Sequence, residues 1–402
     1  MCCASWSLLK LNNKHINPQK VELIDFSNIL NKQQRKAIAN ALLTPFSWIY
    51  GAGVLVREFA FKVNILKEES FDVPVISVGN ITVGGTGKTP HVEYIIEALC
   101  RDYHIGVLSR GYKRHTKGFI MVRDTLTPKD IGDEPYQIFR KFNGLISMAV
   151  CENRCQGIRE MLKVNPKINL ILLDDAFQHR YVKPKVNIVL IDYNRPPYND
   201  KLLPLGSLRE PLYFLLKCDT VVITKCPNDI KPIDIKLIKD KLDMYMNADQ
   251  QLYFSNVKYA NPVPVFPSSN VLLDNLSWLS CEDLILGLTG IANHRPFVKY
   301  LRSFEAKVKV IHYDDHHDYT RDDFKYILRV FDELKGRRKF IVTTEKDAVR
   351  ILNNPYFPLE MRDYIYYVPI RVGFLNYENR EFIPELVNKI EAPNDEEVTL
   401  GG

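Results

Sequence analysis

The sequence predicts an α/β fold: a parallel sheet flanked by helices, followed by a second, smaller α/β unit. Two observations lead there. From Phe71 onward, short apolar runs alternate with stretches of helical apolar spacing, the signature of repeated β–α units. The alternation breaks near residue 250 and then resumes. A third observation narrows the class, because the first strand and helix are joined by the glycine-rich run Thr82-Val83-Gly84-Gly85-Thr86-Gly87-Lys88-Thr89.

In order, Val73–Val78 reads as a buried strand and His91–Leu99 as a helix. Tyr103–Leu108 is strand-like, Ile131–Phe142 helical, Leu145–Val150 a strand and Arg154–Val164 a helix. Ile168–Leu173, Val186–Ile191 and Thr220–Thr224 are further strands, and Ile233–Met244 a helix. Leu252–Val257 and Pro262–Phe266 look extended around a proline bend and are expected to form a hinge. Then come strand Leu284–Leu288, helix Phe297–Ser303, strand Lys307–Tyr313, helix Asp322–Leu334, and strands Lys339–Thr343 and Ile365–Val368. The expected division is an extension over 1–35, a first domain over 36–250 and a hinge plus smaller α/β domain over 251–395, with a frayed tail from Ala392.

With 402 residues there is room for two cores, and 46% hydrophobic with 25% charged residues is ordinary for a globular chain. A net charge of +6 suits an anionic substrate or membrane surface, but no dense basic arm argues for nucleic acid. The eight cysteines form no C-x-x-C pair, which fits inert thiols in a reducing compartment. Ala37–Val56 carries no charge and is rich in Leu, Phe, Trp and Ile. Pro45, Gly51, Gly53 and several polar residues dilute it, so a helix over about 37–63 lying in a membrane interface is expected rather than a spanning one. A buried N-terminal helix is the plainer alternative.

Strand, glycine-rich turn, Gly87-Lys88-Thr89 and helix together suit a nucleoside triphosphate. Glycines let amides approach phosphate oxygens and the helix N-terminus adds positive potential. The lysine neutralises the outer phosphates, and the threonine hydroxyl ligates Mg²⁺. Thr82 stands where the usual pattern begins with glycine. Downstream, the strand before Asp174-Asp175-Ala176-Phe177-Gln178-His179 is expected to deliver carboxylates to that Mg²⁺. The fold class is therefore a P-loop NTPase parallel-sheet domain with a second, smaller α/β domain.

Ser109-Arg110-Gly111-Tyr112 offers a basic turn for a second phosphate-bearing ligand, and Gly132-Asp133-Glu134-Pro135 a rigidly held carboxylate. Arg209, in the loop Leu203–Pro211, either stabilises charge on a transferring phosphoryl group or pairs with Glu210. Asp315-His316-His317 cannot wrap successive side chains around one ion, so a single histidine in acid/base or orienting work is favoured.

Together these residues resemble the tetraacyldisaccharide 4'-kinase family. The matching pieces are Ser77–Pro90, Leu108–Tyr112, Gly132–Pro135, Leu173–His179, Leu203–Pro211, Thr289–Ala292, Asp315-His316 and Thr343–Ala348, in the family's order over about residues 40–375. Thr82 at the first loop position is itself a family habit. The resemblance implies transfer of the ATP γ-phosphate to the 4'-hydroxyl of an acylated glucosamine disaccharide 1-phosphate at the cytoplasmic face of a bacterial inner membrane. It also implies roles. Thr82–Thr89, Asp174, Gln178 and Arg154 would hold ATP, and Thr89, Asp175 and Glu210 would serve Mg²⁺. Asp133 would be the base, paired with His316, with Lys88 and Arg209 assisting transfer and Glu134 in support. A pair split between domains is expected to assemble only on closure.

Two rivals stand beside this reading. A P-loop GTPase or metallochaperone-type NTPase would want an aspartate two places beyond Lys225, where Pro227 stands. A membrane-recruited ATP-binding scaffold would bind ATP without making a phosphorylated lipid.

Overall fold

The structure, a computed structural model, describes residues 32–266, 273–375 and 378–393. Most of the expected 1–35 extension and of the tail lies outside the described residues. Along the chain, helix α1 (Lys32–Lys62) leads into strand β1 (Val75–Asn80), helix α2 (Lys88–Leu99), β2 (Ile105–Ser109) and β3 (Ile120–Met121). Next come α3 (Pro128–Ile131), α4 (Asp133–Lys141), β4 (Ile146–Val150), α5 (Arg154–Val164), β5 (Leu170–Asp174), β6 (Val186–Asp192) and β7 (Thr220–Thr224). Then follow α6 (Pro232–Leu242), β8 (Gln251–Tyr259), β9 (Val263–Pro264), β10 (Leu284–Thr289), α7 (Arg295–Leu301) and β11 (Lys307–His312). The chain closes with α8 (Arg321–Glu333), β12 (Lys339–Thr344), α9 (Glu345–Leu352), β13 (Ile365–Val368), β14 (Ile370–Phe374) and α10 (Asn379–Glu391).

Two sheets result. The larger runs β14-β8-β7-β6-β1-β5-β2-β4-β3, and the smaller β11-β10-β12-β13-β9. Pairing is parallel from β8 through β4, with β14 and β3 antiparallel at the two edges. Strands β1, β2, β5 and β7 are buried along their whole length, as a sheet covered on both faces requires. One face packs Val92, Ile95 and Ile96 of α2 and Tyr136, Ile138 and Phe139 of α4, while Val54 of α1 and Leu242 of α6 belong to the core of the other.

The division differs from the expected one in a specific way. Residues 251–259 are β8, the eighth strand of the larger sheet, paired parallel to β7, and so are part of the first core. β14 returns to the same sheet beside β8, and Phe382, Leu386 and Ile390 of α10 pack into its core. The second unit is thus bracketed by the first in sequence. α9 of the second unit faces α4 of the first. Tyr136 donates its hydroxyl to Asn353 Oδ1 at 3.1 Å, and Val349 joins the first core.

Candidate active site

Ligands of open α/β sheets gather at the carboxyl ends of the strands, and here the loop after central β1 meets the ends of β5, β6 and β7. Gly84 and Gly87 have φ of 94° and 89°, values that a side chain at either place would strain. Gly87 caps α2 without any side-chain cap, so the first amides of that helix are left for an anion. The loop is held from outside through its carbonyls. Arg195 donates to Val83 O at 3.2 Å, Thr224 Oγ1 to Thr86 O at 2.7 Å, and Lys225 to Gly85 O. Asn80 Nδ2 donates to the buried Thr86 hydroxyl at 3.0 Å, and Thr82 bridges to Leu208.

Around Lys88 lies a compact charged group. Lys88 Nζ is 3.5 Å from Asp175 Oδ1, and Arg209 NH1 reaches the same oxygen at 3.4 Å and Gln178 Oε1 at 3.4 Å. Gln178 in turn donates to Asn80 O at 2.6 Å. Asp175 has φ of 51°, a left-handed position that aspartate tolerates better than most side chains. Asp174 is buried; it accepts Ser109 Oγ at 3.1 Å through Oδ2, while its Oδ1 has no hydrogen-bond partner. Burial, then Glu134 and Asp175, push its carboxyl up to about 7. An orphaned acceptor in a negative neighbourhood, close to a lysine, fits a divalent cation. Mg²⁺ at a nucleotide site takes one or two protein carboxylates and is completed by phosphates and water.

Two expected members of this group have partners outside it. Glu210 accepts Arg57 of α1 at 2.6 Å and is buried, its carboxyl raised by burial although Arg57 opposes this. Its Oε1 thus anchors α1 while its buried Oε2 has no hydrogen-bond partner, and Arg209 pairs with Asp175 instead. Arg154 is fully buried and donates to Cys151 O at 2.6 Å and Asp174 O at 3.3 Å, with burial lowering its guanidinium to about 10. It braces the ends of β4 and β5, and both of its hydrogen-bonded partners are backbone carbonyls.

From the second unit, His316 Nδ1 lies 3.0 Å from Asp133 Oδ2. The pair is therefore already formed here, against the expectation that it assembles only on closure. Asp133 opens α4 behind Gly132, whose φ is 96°. Burial would raise its carboxyl, but the bond to His316 and the charge of Arg350 bring it below the usual range. Next to it Glu134 pairs with Lys346 of α9; burial opposes its ionisation, while Lys346 and then Lys88 hold its carboxyl low. Glu134 is thus the joint between the phosphate-loop group and the second unit. Arg350 escaped the sequence reading. Its signal was Lys346 and Arg350 four apart on one face of a helix, matching the adjacent acids Asp133-Glu134.

A glycine loop with an uncapped helix, a lysine–aspartate group and a carboxylate–imidazole pair define a P-loop phosphotransfer protein. The chain belongs to the tetraacyldisaccharide-1-P 4'-kinase family, whose model matches residues 39–391. It is 45% identical over 355 residues to the tetraacyldisaccharide 4'-kinase of Bacteroides thetaiotaomicron, covering 87% of this chain and 92% of that protein. The same-named protein of Flavobacterium psychrophilum is 38% identical over 353 residues, covering 87% and 96%. The crystal structure of LpxK from Aquifex aeolicus in complex with ATP superposes with a TM-score of 0.68 at 26% identity, covering 88% of this chain and all of that one.

Proposed function

We propose that this protein transfers the γ-phosphate of ATP to the 4'-hydroxyl of an acylated glucosamine disaccharide 1-phosphate. The observation that carries the reading is the meeting of two groups at Glu134, phosphate-binding on one side and base-like on the other. Amides of the Thr82–Thr89 loop and Lys88 would hold the phosphates, with Thr89, Asp174 and Asp175 facing Mg²⁺. The ion would shield charge on the transferring group. Arg209, with Gln178 beside it, sits where it can follow charge on the moving phosphoryl group. Asp133 would accept the hydroxyl proton, and His316 would keep it oriented. Phosphoryl transfer is mostly positioning and charge neutralisation, and these residues supply both. Incubating the protein with Mg·ATP and the disaccharide 1-phosphate lipid should yield a bisphosphate. ATP binding without that product would favour the scaffold reading, and a preference for GTP the GTPase reading.

α1 gives the reading its membrane. Ser47, Tyr50 and Arg57 lie on one side and bond Leu202 O, Arg209 O and Glu210 at 2.9, 2.8 and 2.6 Å. On the other side Leu42, Phe46, Trp48, Ile49, Val56 and Phe59 are all more than half exposed. Among the described residues no helix is long and apolar enough to cross a membrane, so this face is suited to lying in the interface. Because Arg209 and Glu210 are fastened to the same helix, docking would set the lipid beside the phosphate loop. Phe46→Glu with Ile49→Glu is expected to weaken binding to anionic phospholipid vesicles by about tenfold or more, since each buried side chain contributes about 1.5–3 kcal/mol. KM for ATP should stay unchanged. Co-sedimentation with vesicles measures the first effect, and undiminished binding removes α1 as the contact.

A further inference from the structure

We infer that Arg350 is a positioning residue for the transfer, holding Asp133 so that one carboxylate oxygen is presented to the acceptor hydroxyl. This rests on Asp133 acting as the base. Arg350 donates to Asp133 Oδ2 through both Nε, at 2.9 Å, and NH2, at 2.8 Å. His316 Nδ1 is 3.0 Å from that same oxygen. Among the described residues all three contacts fall on Oδ2, and Oδ1 is left to take a proton. Only a planar fork can clamp one oxygen through two N–H groups while a third nitrogen is held elsewhere.

That third nitrogen fixes the fork. Arg350 NH1 donates to Gly290 O at 3.1 Å and to Asp347 Oδ1 at 3.1 Å. Asp347 is fully buried and is itself locked by Gly290 N at 3.0 Å and Thr344 Oγ1 at 2.6 Å. A rigid series therefore runs from the ends of β10 and β12 to Asp133. Arg350 NH2 also lies 3.0 Å from His316 Nδ1. A guanidinium has no acceptor, so this contact is made to the nitrogen's lone pair; when Nδ1 carries a proton, the bond goes to Oδ2 instead. Arg350 holds the carboxylate in either state, whereas His316 bonds it only when Nδ1 carries the proton.

The test uses the full chain with Mg·ATP and the acceptor lipid. Arg350→Gln is expected to lower kcat by about 10–100-fold, the scale of a misplaced reacting group, with KM for ATP within about twofold. In an Asp133→Asn background the same change should cost nothing further, because Arg350 acts through Asp133. A wild-type kcat in Arg350→Gln overturns the inference, and so does a loss that adds in full to that of Asp133→Asn. Should Arg350→Gln fail to fold, Arg350→Lys carries the test, since it keeps the charge beside Asp347 but cannot form the fork. A drop of about tenfold in kcat then upholds the inference and wild-type turnover overturns it. Normal turnover in Asp133→Asn itself would remove both readings. A slow Asp133→Asn beside a normal Arg350→Gln would remove only this one.

Discussion

An Asp133→Asn variant is expected to turn over about 10²–10⁴-fold more slowly than the native protein, with ATP affinity nearly intact. The amide keeps the size of the side chain, but its oxygen is too weakly basic to take the hydroxyl proton. It also changes what Arg350 and His316 meet, since the anion that both now face at 2.8–3.0 Å is gone. Nucleotide affinity rests on the loop and Lys88, which have no direct bond to Asp133. A single-turnover assay with the lipid acceptor, alongside calorimetric titration of Mg·ATP, separates these effects. An unchanged chemical rate would dismiss Asp133 as the base. The pH profile offers an independent check. Asp133 is held below its ordinary 3.8, so its working form is lost only as pH falls through that low value. No acid limb of kcat/KM above 3.8 should then belong to it.

The second large effect is on stability. Gly79 lies in buried β1, and a Cβ added there would stand 2.5 Å from Phe177 Cβ and 2.7 Å from Phe177 N. The nearest obstacle includes backbone, so no rotamer change relieves it. Gly79→Ala should cost about 3 kcal/mol, the upper end for overpacking a filled core. It should also weaken ATP binding, because Phe177 lies between Asp175 and Gln178 in the chain. Denaturant midpoints measure the first effect. A midpoint equal to that of the native protein would show that β1 and the Phe177 turn can separate freely.

What was legible in the sequence was whatever repeats locally. Apolar runs marked most strands of both sheets within a residue or two, because a strand buried on both faces leaves little room for polar residues. The P-loop could be read because phosphate binding needs particular residues at fixed spacing. The apolar pattern leaves β14 and α10 unmarked and places β8 in a hinge. Nothing local in Gln251–Tyr259 says that its neighbour will be β7 on one side and a strand more than a hundred residues later on the other. Partnership was equally hidden for polar residues. Glu210 and Arg209 are adjacent in the chain yet face different partners, Arg57 and Asp175. Arg154 looked like a cation for a ligand but serves two carbonyls. Arg350 was missed because its meaning depends on Asp133, which is distant in sequence and supplied by the other unit.

Tyr259 and Ile370 face each other in antiparallel register, and Ala260 N bonds Pro369 O at 2.9 Å. Everything between them is, in topological terms, an oversized β-turn. Splicing it out would leave every rung of the larger sheet intact but would delete His316 and Arg350. The nucleotide-holding half would keep its strand order and Asp133, but would lose Val349 from its core and both side chains that hold the Asp133 carboxylate.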